Sequence, residues 1–405
     1  MPEVDAQTFQ RLPGGNAAFE LGAGYAGPAR VAIVVNTDRG FLTHRAVWAA
    51  ALAGAGSDVR VFAPDTGYAQ KIRDLGFEFH DLSLGRESIG GASAAMAGLR
   101  LLVALLRYRP SLVFLVQTAA YVLGWPAALL LRGTRFVRVA GGIGRALASD
   151  TRAPARLLSL SLRMGAKCTN VWTLFQLEGD RDFFLRHRFA AAERSTVVGG
   201  TGIDTAVWAP SAEKPQGRPT VLFASRLYDE KGVREFVEVA RRLHSARNRF
   251  VIVGEPDPGV QTAVSSDEVK SWAASGILEW WGHQDDMLRV MQQSDLIVFP
   301  SRHPEGTPKT LIEAAACGVP AVAADQEGCR AVVEDDVSGW IRPATDVDAI
   351  AKCVQRILDD PAALARAASF ARSQAVARYS LESVLGRVLE FADVPLKAGV
   401  YAEHR

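Results

Sequence analysis

Along most of the chain, short apolar runs rich in β-branched and aromatic residues alternate with longer stretches whose apolar positions recur every three or four residues. Runs of the first kind fall at 30–35, 58–62, 77–82, 111–116, 135–139 and 170–174, and they predict buried strands. Helical patterns lie between them, for instance at 44–52 and 92–106. Regular alternation of this kind predicts parallel βαβ units, because parallel neighbours need a long crossover and a helix supplies it. The pattern breaks at 209–219, a polar stretch with three prolines and the composition of a linker. A second series follows, with strands predicted at 220–224, 250–253, 278–281, 296–299 and 321–324 and helices that include 233–243 and 309–316. The fold class expected is α/β, with two doubly wound Rossmann-like domains at 29–208 and 209–378. A loose tail is expected at 1–28, and the C-terminal segment at 379–405 carries a predicted helix at 381–392. Ligands of such sheets bind outside the carboxyl ends of the strands, so two domains facing each other would hold them in a cleft.

Composition narrows the classes. The 405 residues are 48% hydrophobic and 22% charged, which excludes disorder and small disulfide scaffolds, and a net charge of +2 gives no reason to expect nucleic acid. The halves differ, however: residues 1–208 hold 23 basic and 16 acidic side chains, and the remainder holds 23 and 28. Cys168, Cys317, Cys329 and Cys353 are far apart with no CxxC pair, which argues against a zinc knuckle and fits a reducing, cytoplasmic setting. The first 28 residues lack a basic region followed by an apolar run and so do not read as a signal peptide. Residues 110–131 carry no charge and are long enough to span a bilayer. Their β-rich start, with Gly124 and Pro126 further on, instead predicts a buried strand followed by a packed helix.

Candidate chemistry lies where strands of the second series end. Ser225 to Gly232 follows the strand at 220–224 and carries Arg226 and Lys231, two cations at a strand exit and helix start that can converge on a diphosphate. A solvated charged turn would have the same letters. Phe299 to Glu313 holds Glu305 in a loop, then Gly306, Thr307, Pro308, Lys309 and Thr310 at a helix start, and Glu313 about a turn and a half into that helix. Gly306 allows close backbone approach, Pro308 suits a first helical turn, and the helix N-terminus offers free N–H groups to an anion. Two glutamates eight residues apart are, by themselves, common on surface helices.

Taken together these segments resemble the E-x7-E signature of family 4 retaining glycosyltransferases, which have the GT-B fold. Gly254-Glu255 resembles that family's turn after a strand, and Gly282-His283-Gln284-Asp285-Asp286 its segment near the nucleotide base. Residues 314–320 and 325–330 resemble the stretches that complete the donor domain. In the first half, Phe41-Leu42-Thr43-His44-Arg45 is similar to a stretch of members that build bacterial surface polysaccharides and lipid-linked glycans, and 199–204 to the interdomain segment. The resemblance implies metal-independent, cofactor-free transfer of a hexose or N-acetylhexosamine from a nucleotide-diphosphate sugar, UDP-sugars first, to a glycan or polyprenyl-diphosphate-linked acceptor. It places Arg226 and Lys231 on the diphosphate, Glu313 on the ribose and Glu305 on the sugar hydroxyls. Residues 306–310, Gly254, His283 and Gly40 would also line the donor. Two departures stand out: Asn36-Thr37-Asp38-Arg39-Gly40 has one glycine where many relatives have a pair, and Ala140-Gly141-Gly142-Ile143-Gly144 lies where many place a histidine. His44 is a candidate substitute, although a histidine opening a helix also serves as a cap or packing residue.

Residues 88–149 contain seven arginines and no acid. The helix at 92–106, ending in Arg107-Tyr108-Arg109 and carrying Arg100, predicts a surface for the inner face of an anionic membrane or for the acceptor. Rival readings are a metal-dependent transferase using Asp346-Val347-Asp348, a two-carboxylate glycosidase, a sugar-nucleotide epimerase of the same fold and a non-catalytic nucleotide-binding scaffold. The Asp346 pair is better explained as a helix N-cap with a first-turn acid.

Overall fold

The computed structural model describes residues 30–83, 92–141, 153–212, 217–245, 247–257, 259–304 and 306–392. The expected N-terminal tail, the 142–144 loop and Glu305 lie outside the described residues. Within them the chain divides into two compact units, one of 30–201 with 384–392 and one of Gly202–Ser383.

The first unit is a parallel sheet of seven strands, β1 Arg30–Val34, β2 Asp58–Ala63, β3 Glu78–Asp81, β4 Leu112–Val116, β5 Arg135–Ala140, β6 Val171–Phe175 and β7 Ser195–Val197, in the order β3-β2-β1-β4-β5-β6-β7. Its helices are α1 Asp38–His44, α2 Ala46–Gly54, α3 Ala69–Asp74, α4 Ala92–Tyr108, α5 Gln117–Leu130, α6 Ala153–Lys167 and α7 Glu178–Arg186. Helices α4, α5 and α6 cover one face of the sheet: Leu101, Leu105, Tyr121, Ala127 and Leu162 pack on Ala32, Val113, Phe136 and Phe175. The uncharged stretch at 110–131 is therefore β4 and α5, and no helix among the described residues is long and apolar enough to cross a membrane.

The second unit repeats the plan with β8 Thr220–Ala224, β9 Arg249–Val253, β10 Glu279–Trp280, β11 Leu296–Phe299, β12 Ala321–Ala324 and β13 Gly339–Arg342, all parallel, in the order β10-β9-β8-β11-β12-β13. Its helices are α8 Val233–Leu243, α9 Ser266–Ala274, α10 Met287–Gln292, α11 Lys309–Ala316, α12 Glu327–Val332, α13 Val347–Leu358 and α14 Pro361–Tyr379. A last helix, α15 Leu381–Phe391, joins the first unit from Val384 onward, where Phe391 sets its ring edge against Trp172 at 5.0 Å. The fold class read from the sequence, two doubly wound parallel sheets, holds.

Several details differ from the sequence reading. Residues 38–54 form two helices rather than one starting at His44, because Thr37 caps the first by accepting from the Gly40 N–H at 3.0 Å and the chain leaves helical geometry at Arg45. Positions 38–40 are thus helical, and His44 closes a helix instead of opening one. Strands β7 and β13, each at a sheet edge, were not among the predicted runs. Asp346 accepts from the Ala349 N–H at 2.9 Å, so it is the N-cap that its position suggested.

Candidate active site

In each sheet the order reverses beside its first strand, between β1 and β4 and between β8 and β11. Such switch points open a crevice at the carboxyl ends of the strands, because the two crossovers leave in opposite directions. In the second unit the loops that leave this point are the two that carry the candidate chemistry. Arg226 and Lys231 follow β8, and Gly306 to Glu313 follow β11.

The β8 loop brings its two cations to one aromatic ring. Arg226 lies 5.3 Å and Lys231 5.7 Å from the centroid of Tyr228. The ring's negative face favours both, which holds like charges together before any anion is present. Lys231 is buried, whereas the Arg226 side chain is 62% exposed and pairs with Asp257 Oδ2 at 2.7 Å. Arg226 can therefore exchange a protein carboxylate for a phosphate without leaving solvent reach.

Two glycines let the neighbouring loops close on this one. Gly232 has φ +81°, and a Cβ there would stand 2.3 Å from the Pro300 carbonyl oxygen of the β11 loop. Gly254 has φ +131°, and a Cβ there would stand 1.9 Å from the Ser225 carbonyl oxygen. Its N–H donates to the Gly282 carbonyl at 2.8 Å, so its role is close backbone contact. The β11 loop is also pinned through Arg302. Its backbone N–H donates to the Glu230 carbonyl at 2.7 Å, one guanidinium N–H to the Asp229 carbonyl at 2.7 Å, and another pairs with Glu235.

Helix α11 starts beside that pinned loop. Pro308 is its N-cap rather than its first turn, and no side chain caps the end, so the first N–H groups keep their capacity for an anion. Thr307 and Pro308 are buried; Gly306, Lys309 and Thr310 are half-buried. Glu313 is buried and forms an ion pair with Lys309 Nζ at 3.1 Å, one turn earlier on the same helix. A ribose ligand would share that carboxylate with Lys309. His283 lies on the loop after the edge strand β10, next to the Gly282 that accepts from Gly254, and is bonded to Asp285 Oδ1 at 3.0 Å.

Gly40 and His44 lie on α1 of the first unit, at its own switch point. Gly40 has a packing reason, since a Cβ would press on the Thr37 hydroxyl at 2.8 Å. Asp38 is fully buried and accepts from the backbone N–H groups of Thr66 and Tyr68 at 2.7 and 2.9 Å, which ties α1 to the loop after β2. At the end of β4, Gln117 is exposed with φ +67°, a left-handed conformation that a non-glycine residue adopts at a cost. The sequence pattern did not single out Gln117, Tyr228, Asp257 or Arg302; Tyr228 meets cations of its own loop, and Asp257 and Arg302 meet the β8 loop from the loops of the neighbouring strands β9 and β11. Arg100, Arg107 and Arg109 are exposed as expected, but Tyr108 is not a surface residue. It is buried beneath Arg60 at 4.3 Å and donates to the Asp58 carbonyl at 2.6 Å, because its position faces the sheet. Among the described residues no cluster of His, Cys, Asp and Glu could hold a metal.

Fold and site together define a class: an α/β protein with two Rossmann-like units, the second holding two cations and an uncapped helix N-terminus at its switch point, an arrangement suited to a phosphorylated ligand. Within that unit, residues 204–374 match the family model described as glycosyl transferases group 1. A 188-residue stretch is 31% identical to a glycogen synthase of Mycobacterium tuberculosis, covering 45% of this chain and 44% of that protein. Another, of 180 residues, is 29% identical to N,N'-diacetylbacillosaminyl-diphospho-undecaprenol alpha-1,3-N-acetylgalactosaminyltransferase of Campylobacter jejuni, covering 44% and 46%. The chain thus spans less than half the length of these curated relatives. The fold is that of Anabaena Alr3699/HepE, solved in complex with UDP, at a TM-score of 0.70 and 18% identity over 90% of this chain and all of that one.

Proposed function

We propose that the protein is a retaining glycosyltransferase that moves a hexose or N-acetylhexosamine from a nucleotide-diphosphate sugar, with UDP-sugars the first candidates, to a glycan or polyprenyl-diphosphate-linked acceptor at the inner face of the cytoplasmic membrane. The observation that carries the reading is the convergence of Arg226 and Lys231 on Tyr228 at the switch point where α11 also begins. Cleaving the bond between the sugar and the diphosphate builds negative charge on the departing phosphate. Two fixed cations and a helix N-terminus stabilise that charge without a metal or another cofactor, because their dipoles are oriented before the reaction starts. Glu313 would hold the ribose and Glu305 the donor sugar. Attack from the face that the diphosphate leaves would retain configuration, with a phosphate oxygen taking the acceptor's proton. The relatives that act on undecaprenol-linked and polysaccharide substrates support the acceptor class, and the UDP complex of the fold neighbour supports the donor class.

The test is a thermal-shift series with UDP, GDP, ADP and TDP and their sugars, with and without EDTA, followed by product analysis with the nucleotide sugar that binds. Stabilisation by one nucleotide in EDTA and an α-linked product from an α-linked donor are expected. Absence of any shift, or stabilisation abolished by EDTA, would reject the donor-site assignment.

A further inference from the structure

Nine large hydrophobic side chains are exposed among the described residues, and seven of them lie on α4, α5 and α6. On α4 they are Met96, Leu99, Val103 and Leu106, spaced by three, four and three residues, so they form one stripe along the side opposite the buried Ala97, Leu101 and Leu105. Leu129 and Leu130 end α5, and Leu160 sits mid-way along α6. The three helices lie side by side on one face of the first sheet, so these residues share one outward surface.

Cations frame that surface. Helix α6 turns Arg156, Leu160, Arg163 and Lys167 outward, again at helical spacing, and Arg100 and Arg107 of α4, with Arg109 just past its end, are exposed beside it. Between residues 88 and 177 the sequence has one acid, Asp150, which lies outside the described residues. Among the described residues, Asp81 at the end of β3 interacts electrostatically with Arg100. Among the described residues of the other unit the exposed large hydrophobics are Phe370 and Val376, both on α14.

The charge decides what the surface fits. A second copy laid on the stripe would bring arginine against arginine with no acid to receive either. Nucleic acid would use the cations and leave the leucines in water. An anionic bilayer uses both, because apolar side chains enter the acyl boundary while the long basic ones reach back to the lipid phosphates. We infer that the outer faces of α4, α5 and α6 form a docking surface for an anionic lipid bilayer. The inference rests on the proposed function for its purpose, since a polyprenyl-linked acceptor is met at a membrane, but its evidence is separate from the donor site.

The test is flotation of the full chain with phosphatidylcholine vesicles and with vesicles containing phosphatidylglycerol, for wild type and two double variants, Leu99→Gln/Leu106→Gln and Arg156→Glu/Arg163→Glu. Circular dichroism melting and the thermal shift with the preferred nucleotide control for folding and for the donor site. Wild type should float only with the anionic vesicles, and each variant should lose at least about tenfold in partitioning while keeping its melting curve and nucleotide response. Wild type indifferent to phosphatidylglycerol, or both variants binding as wild type does, would overturn the inference. So would a wild-type dimer that the leucine variant converts to monomer without vesicle binding, which would assign the stripe to a second copy. Vesicle binding without any nucleotide response would keep this surface and discard the transferase reading.

Discussion

The two units share a plan and treat positive charge differently, although the first also pairs Arg60 with Glu78, Arg181 with Glu178 and Arg194 with Glu193. In the second unit nine arginines among the described residues form ion pairs with carboxylates. Arg234 pairs with Asp229 and Glu268, Arg242 with Glu238 and Asp348, Arg249 with Glu279, Arg302 with Glu235 and Arg330 with Asp325. In the first unit Arg45 and Arg138 are buried, and among the described residues no ion pair with a carboxylate is formed by either. Burial pushes both guanidinium groups down to about 10, and each leaves its Nε without a partner. Arg100 and Arg107 on α4 and Arg156, Arg163 and Lys167 on α6 are exposed. A neutralised surrounding lets a few cations define one local anion site, whereas an unneutralised helical layer acts on whatever broad surface approaches it. The difference teaches that net charge of +2 conceals two separate electrostatic functions.

The contrast can be broken at several strengths. The largest effect is expected at the cation pair. Arg226→Ala and Lys231→Ala should each lower the rate of sugar transfer on the order of 10²-fold with a smaller change in nucleotide affinity, by analogy with loss of an oxyanion donor. Wild-type rates in either would mean that the convergence on Tyr228 is only structural. Next come the glycines that close the loops. Gly232→Ala and Gly254→Ala should each cost on the order of 2 kcal/mol or more in urea unfolding, since both combine positive φ with contact to a backbone oxygen, whereas Gly56→Ala, with open space around it, should cost less.

The treatment of charge itself gives the third pair. Arg302→Met strands the largely buried Glu235 and should destabilise by about 2 kcal/mol, while Arg138→Met removes an unpaired buried charge and should be neutral or stabilising. Equal losses in both variants would show that Arg138 is satisfied after all and would erase the contrast. The smallest effect belongs to the exposed pairs. Arg249 holds the Glu279 carboxyl below its usual range, so the contribution is present above the unfolded carboxylate value and disappears as pH falls through the lowered folded one. Glu279→Gln should therefore cost under about 1 kcal/mol at pH 7 and nothing at pH 2, compared by denaturant titration at the two pH values.

Much of this was legible in the chain because it depends on neighbours in sequence. Strands at 220–224, 296–299 and 321–324 and helices at 233–243 and 309–316 follow from apolar runs and periodicity, and the structure places them with the same bounds. The N-cap of Asp346 was legible for the same reason, as a short side chain within reach of its own helix. Helix α1 was missed because its start depends on a Thr37 cap that an apolar count does not register. Tyr108 was misplaced because the letters Arg-Tyr-Arg do not say which side of the turn meets the sheet.

Sequence by itself therefore determined the two doubly wound units, the family resemblance of the second and the identities of Arg226, Lys231 and Glu313 as its candidate chemistry. Tertiary structure decided what those residues touch: Tyr228 under both cations, Asp257 on Arg226, Lys309 on Glu313 and Pro300 against Gly232. It also gathered α4, α5 and α6 into one surface. The reason is physical: local pattern fixes which backbone hydrogen bonds form, but strand order alone fixes which loops leave the sheet side by side, and no residue carries that order in its own letters.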